Sequence, residues 1–289
     1  MDAAEILKKV RRIEIKTKGL SKHIFSGEYH SAFKGRGMSF SEVRDYQYGD
    51  DVRNIDWNVT ARTGQTSVKI FEEERELTLM LLIDISNSSF YGTGENLKSE
   101  IMTEICAVVG FSALNNNDKV GAIFFSDKIE KYIPPKKGKK HMLLIIRELL
   151  NLGGQSEGTD IAAALEYLNN VQKKRAITFL LSDFMQQDYE SALNIASRKH
   201  DIIGMHLFDK AELDLPNVGL LQVRDSETGQ MSLIDTSNKA VREKYKSWFD
   251  DNMLFFKNQF NKNGLDTISM AVDQDYIKVL LKFFKSRVK

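Results

Sequence analysis

Residues 77–88 read LTLMLLIDISNS, and the fold turns on how this stretch is interpreted. A nearly unbroken apolar run stops at Asp84, and Ser86 and Ser88 follow at spacing two. Such a run, short and bounded by polar residues, fits a central strand of a parallel sheet covered on both faces. A second run of the same kind, AITFLLSDF at 176–184, stops at Asp183.

Outward from these two runs, apolar segments alternate with amphipathic ones, which is the pattern of strands joined by crossover helices. The spacing predicts strands over 66–72, 77–83, 119–125, 129–133, 176–182, 201–208 and 266–271. Helices are expected over 95–115, 139–151, 159–171, 187–199, 236–262 and 274–286, and a hairpin over 219–234 turning at Glu227–Thr228–Gly229. The tight turn Ser126–Asp127–Lys128 makes the strand at 129–133 antiparallel to its predecessor. The expected fold class is therefore α/β: a Rossmann-like, doubly wound, mostly parallel sheet with one antiparallel edge strand. A β-hairpin insertion and an N-terminal helix/β arm complete it. Residues 1–75 are assigned to the arm, with a short basic-faced helix over 2–15, and residues 76–289 to the α/β domain.

Composition narrows the function. The 289 residues carry a net charge of +1, so no global field selects nucleic acid or an anionic surface. The single cysteine, Cys106, sits in the apolar string EICAVVGFSAL and reads as core rather than as a nucleophile. The first residues are too charged for a secretory leader, and no apolar run reaches the roughly 20 residues a membrane-spanning helix needs. A cytoplasmic location is expected. Peripheral lipid contact through the basic helix face is the lesser alternative.

Chain direction gives the candidate site. If the strand at 77–83 runs upward, the successive elements deliver Asp84, Thr159 and Asp183 to one edge of the sheet. Open α/β sheets bind ligands at that carboxyl edge. In Asp84-Ile85-Ser86-Asn87-Ser88 an extended backbone would point the three oxygen side chains the same way. Two carboxylates and three hydroxyls, with no histidine or cysteine, form a hard oxygen set suited to Mg²⁺ or Mn²⁺. The bland alternative is that the serines shape turns, Thr159 caps the helix after it, and Asp183 caps the helix at 187–199.

DISNS at 84–88, GTDIAAAL at 158–165 and LLSDF at 180–184 resemble the three segments of the metal-ion-dependent adhesion site in von Willebrand factor A-type domains. The resemblance implies that Ser86, Ser88 and Thr159 coordinate the ion directly, with Asp84 and Asp183 acting through bound water. Phe184 stands where many such domains have glycine. RDYQYGDDVRNIDWNVTAR at 44–62, followed by VKIFEEERELTLMLLIDIS at 68–86, resembles more specifically the bacterial DUF58 family. HLFDKAELDLPNVG at 206–219 and the terminal LLKFFKSR at 280–287 also fit it, so the likeness runs from about residue 30 onward. That family often accompanies MoxR-type AAA+ ATPases, including in aerotolerance-type operons of Bacteroidetes. It implies a metal-dependent protein-binding module, an adaptor or co-chaperone whose partner, the ATPase or its client, supplies an Asp or Glu carboxylate.

An enzyme is the weaker expectation. There is no G-x-S-x-G elbow and no Walker-type loop. Of the five histidines, none is placed beside Ser86 or Ser88, although His23 and His30 lie in the unassigned arm. A metal-dependent hydrolase or phosphoesterase, and a scaffold with no ion at all, remain the alternatives. Asp50, Asp51, Arg53, Asp56, Trp57 and Arg62 read as an ion-pair network pinning the arm, with Trp57 filling a gap, or else as a docking surface. The basic run at 134–140 and the acidic FEEERE at 71–76 fall at the opposite edge and read as solvated or ion-paired.

Overall fold

In the computed structural model the described residues are 8, 10–13, 29, 32–33, 38–73, 76–90, 92, 97–152, 158–224 and 230–287. Ten strands are present among them: β1 (Met38–Asp45), β2 (Ser67–Glu73), β3 (Thr78–Asp84), β4 (Lys119–Phe125), β5 (Ile129–Lys136), β6 (Ile177–Ser182), β7 (Asp201–Phe208), β8 (Leu220–Arg224), β9 (Met231–Asp235) and β10 (Asp266–Ala271). The α-helices are α1 (Trp57–Thr63), α2 (Lys98–Asn115), α3 (Lys139–Asn151), α4 (Ile161–Val171), α5 (Glu190–Ser197), α6 (Lys239–Lys262) and α7 (Tyr276–Arg287).

Six strands form one sheet in the order β10-β7-β6-β3-β4-β5. All neighbours are parallel except β4 and β5, which pair antiparallel. This is the expected α/β architecture, a mostly parallel sheet with one antiparallel edge strand. The strand β3 explains why both faces are covered. Its side chains alternate, so Leu79, Leu81 and Ile83 enter one apolar layer, while Met80 and Leu82 enter the other. The first layer is closed by α2, α3 and α7, and the second by α4, α5 and α6. Cys106 is buried in the first, as core.

The edge strand β5 runs three residues beyond the expected 129–133 and includes Pro134 and Pro135. Proline lacks a ladder donor, and an edge strand has one side that needs none. At the same end, Lys137 and Lys119 both pair with Glu76, so part of the basic run is ion-paired with part of the acidic one. The side chains of Glu72, Glu73 and Glu74 lie outside the description.

Within the arm, β1 and β2 form a separate antiparallel pair, a strand that the polar MSFSEVRD string does not announce. Val10, Tyr29 and Phe33 are buried in the same apolar layer as β3, β6 and α7. Tyr29 and Phe33 meet the Phe284 ring at 6.1 and 6.0 Å. The ion pairs expected around Asp50 and Asp51 form locally: Arg44 with Asp50 at 2.7 Å, and Arg53 with Asp51 at 2.6 Å. Asp56 caps α1 by accepting from the Asn58 and Val59 amides. Trp57, however, fills no gap. It is 68% exposed, beside an Asp56 whose side chain turns inward to its capping role.

The hairpin β8–β9 pairs Leu220 with Asp235 and Arg224 with Met231, and its expected tip at 227–229 lies outside the described residues. Leu220, Leu233 and Met231 are exposed on it.

Candidate metal centre

The sheet order makes a crevice at β3. The chain leaves β3 for β4 on one side, whereas β6 lies on the other, so the carboxyl ends of β3 and β6 flank the switch point. Asp84 is the last residue of β3, and Asp183 directly follows β6. Both are buried. The segment bearing Thr159 is tied to the same edge by its neighbours. The Asp160 amide donates to the Ser126 carbonyl just past β4 at 2.7 Å, and the Ile161 amide donates to Gln186 Oε1, just past Asp183, at 2.9 Å.

The expected parallel pointing of Asp84, Ser86 and Ser88 is reached by another route. The backbone does not stay extended: residues Asn87–Phe90 form a 3-10 turn, and the Ser89 amide donates to the Ser86 carbonyl at 3.1 Å. That turn folds the two hydroxyls together, with Ser86 Oγ and Ser88 Oγ 3.0 Å apart. Two of the bland roles are taken by other residues. The N-cap of α4 is Asp160, whose carboxylate accepts from the Ala163 amide, rather than Thr159. The residue capping α5 is Tyr189, without a side-chain bond, rather than Asp183.

Asp84 is held rigidly. Its Oδ1 accepts the Ser86 amide at 2.9 Å, and its Oδ2 accepts the Ser182 hydroxyl at 2.6 Å. Burial, reinforced by the nearby Asp183 charge, pushes its carboxyl up to about 7. Asp183 behaves oppositely. Burial alone would raise it, but the Lys98 charge and the Ser88 hydroxyl outweigh that and hold it below the ordinary range. Lys98 Nζ lies 3.5 Å from Asp183 Oδ2 and 2.7 Å from Glu212 Oε1.

Three members of this cluster are invisible to motif reading: Ser182, Lys98 and Glu212. Ser182 lies inside the LLSDF string, yet its partner is 98 residues away. Lys98 and Glu212 are 114 residues apart and meet only because α2 starts, and β7 ends, at the same edge.

The donor set fits a small hard cation on two counts. The Asp84 and Asp183 carboxylates lie close enough to repel, and the buried Lys98 ammonium is shared between Asp183 and Glu212, so the cluster is short of positive charge. The Ser86 and Ser88 hydroxyls are hydrogen-bonded to each other at 3.0 Å, a separation that the cis edge of an octahedron with metal–oxygen distances near 2.1 Å, about 3.0 Å, also accommodates. The residues that would hold the ion are Asp84, Ser86, Ser88, Thr159 and Asp183.

Among the described residues neither serine engages a histidine. His206 Nδ1 pairs with Ser269 Oγ at 2.8 Å, and burial pushes the ring down to about 3, so it is neutral at physiological pH. His141 and His200 bond backbone groups at Val120 and Ala176. His23 and His30 lie outside the described residues.

The sequence signature of the family described as "Protein of unknown function DUF58" matches residues 42–253. The chain is similar to the uncharacterized protein Rv1480 of Mycobacterium tuberculosis, 24% identical over 290 residues, covering 99% of this chain and 91% of that protein. Among solved structures it is similar to the conserved hypothetical protein BatB from Bacteroides thetaiotaomicron, with a TM-score of 0.44 and 15% identity over 73% of this chain and 98% of that one. It is also similar to the SpRpn10 VWA domain, with a TM-score of 0.37 and 12% identity over 71% of this chain and 93% of that one.

Proposed function

This chain belongs to the DUF58 family, and from that premise we propose that it is a metal-dependent protein-binding module whose contact point is the Asp84–Asp183 edge. The observation that carries the reading is the buried excess of carboxylate around Ser86 and Ser88. Charge that is this costly to bury is retained where a cation is to be held. Mg²⁺ or Mn²⁺ bound there would supply an electrophilic position that a partner's Asp or Glu carboxylate can complete.

The chain's own residues set up that contact. Ser182 and the Ser86 amide fix the Asp84 carboxylate from two sides, leaving it no freedom to turn away. The 3-10 turn presents the two hydroxyls from the same loop. Leu220, Met231 and Leu233, exposed on one face of the hairpin, support an interaction role, since apolar residues grouped at the surface mark contact sites. Among the described residues no histidine stands beside the serine pair, which disfavours hydrolysis. Among the described residues no helix is long and apolar enough to cross a membrane. For the partner, the DUF58 resemblance supports a MoxR-type AAA+ ATPase or its client.

The test is a thermal-shift titration with Mg²⁺ and Mn²⁺, followed by capture of a MoxR-type AAA+ ATPase with and without chelator. A ligand specific to the native state stabilises by about 2.7 kcal/mol at a hundred times its Kd. The expected result is an ion-dependent rise in Tm that Asp84→Ala removes, and capture that chelator abolishes. A flat titration in folded wild-type protein sinks the metal reading, and capture that survives both treatments sinks the contact.

A further inference from the structure

Lys98 is a residue that a cation site has no evident use for. It is 1% exposed, the most buried lysine among the described residues, and it is the first residue of α2. Positive charge at a helix N-terminus opposes the helix dipole, so helix stability does not account for it. Its partners do. The ammonium sits 2.7 Å from Glu212 and 3.5 Å from Asp183, bridging a site carboxylate to one outside the site.

Glu212 is held for this task. Its second oxygen accepts the Asp209 amide at 2.7 Å, and Asp209 in turn accepts the Ala211 amide, which locks the short turn after β7. The result is a fixed row of charges, Asp183, Lys98 and Glu212, with the ammonium closer to the outer carboxylate. One arm of that row ends on a residue that would hold the ion.

We propose that Lys98 is a built-in counter-cation that weakens the site's hold on a divalent ion, with Glu212 setting how much of the lysine charge reaches Asp183. This rests on the divalent-cation reading given above. The consequence is an ion held loosely by the free protein and firmly once a partner's carboxylate adds negative charge. Lys98 is a positioning and tuning residue here, since it acts through Asp183. A purely structural Lys98 makes a different prediction: disturbing either end of the row would loosen the site or leave it unchanged.

Isothermal titration of the full chain with MgCl₂, and with MnCl₂ as a second probe, separates these. Removing a positive charge about 5 Å from a divalent ion tightens binding by about tenfold even at a water-like dielectric of about 80, and by more in a less polar interior. Lys98→Met is therefore expected to lower the Kd about tenfold. Glu212→Gln, which keeps an acceptor for the Asp209 amide but frees the lysine charge toward Asp183, is expected to raise it about tenfold. A folded Lys98→Met protein that binds no tighter overturns the proposal. Where Lys98→Met does not fold, Lys98→Gln takes its place, and a Kd that is unchanged or higher overturns the proposal, as does a Glu212→Gln Kd that is unchanged or lower. Absence of ion binding in all the folded proteins is a separate failure that overturns the metal reading and this proposal together.

Discussion

Phe184 has φ 53°, a left-handed conformation that glycine adopts freely and an aromatic residue adopts at a cost of about 1 kcal/mol. The ring more than offsets that strain. It is fully buried, 4.2 Å from the Phe256 ring and 5.7 Å from Phe260, and burying a phenylalanine is worth about 2–3 kcal/mol. The loop thus takes a turn that glycine would adopt freely, and it gains an anchor into the layer beneath α6. Asp118 poses the opposite balance. Its Oδ1 accepts the Leu77 amide at 2.9 Å, while its buried Oδ2 has no partner in the structure. Burial, with a smaller push from Glu76, raises its carboxyl to about 6. The folded state therefore binds protons more tightly than the unfolded one, and stability falls as pH rises from about 4 to about 6. Asp118→Asn, which keeps the acceptor for Leu77, should gain about 1 kcal/mol at pH 7 after allowance for solvent screening, and nothing at pH 4 or below. Urea denaturation at the two pH values measures this; an equal gain at both would place the effect elsewhere.

Elements show where sequence reasoning reaches and where it stops. Strand β3 is legible because its alternation is carried by six consecutive apolar or terminating residues, each forced by a layer on one side or the other. Asp84 and Asp183 are legible for the same reason: they are where those runs end. Ser88 comes beside Ser86, but a 3-10 turn rather than the expected extended segment brings it there. Strand β1 is not legible, because it pairs only with β2 and its polar side chains carry no core signal. The same limit hides Lys98, whose burial depends on carboxylates reached only through the sheet order. Helix α6 against β7 is a further case. A Cβ built on Gly204 would sit 2.6 Å from Phe260 Cε1 and 2.7 Å from Phe256 Cε2. Close approach of the helix, not backbone freedom, is what requires glycine there. Gly204→Ala should push α6 outward and cost about 1–3 kcal/mol, as overpacking generally does. Thermal unfolding of the variant checks it, and a Tm equal to wild type would mean that the two rings yield without the helix moving.

At the scale of the molecule, the arm and the carboxyl terminus close one apolar layer between them. Arg287, at the end of α7, donates from Nη2 to both Asp201 oxygens at 2.8 and 2.9 Å and from Nε to Asp266 at 2.8 Å, a fork across two carboxylates that ties the starts of β7 and β10. Its guanidinium also lies 4.7 Å from the centre of the Phe33 ring, which comes from the arm and touches Phe179 and Phe284. One side chain therefore joins the sheet's ion pairs to the arm's anchor. Phe33→Ala should cost about 3–5 kcal/mol, the usual range for a buried ring. Arg287→Lys keeps the charge but loses both the fork and the stacking face, and should cost about 1–2 kcal/mol. Because the two side chains touch, the double variant should fall short of additivity by about 1 kcal/mol, the size of a partly desolvated cation–π contact. Urea denaturation of the four proteins gives that coupling directly. Strict additivity would mean that the arm and the carboxyl-terminal helix are held to the sheet independently.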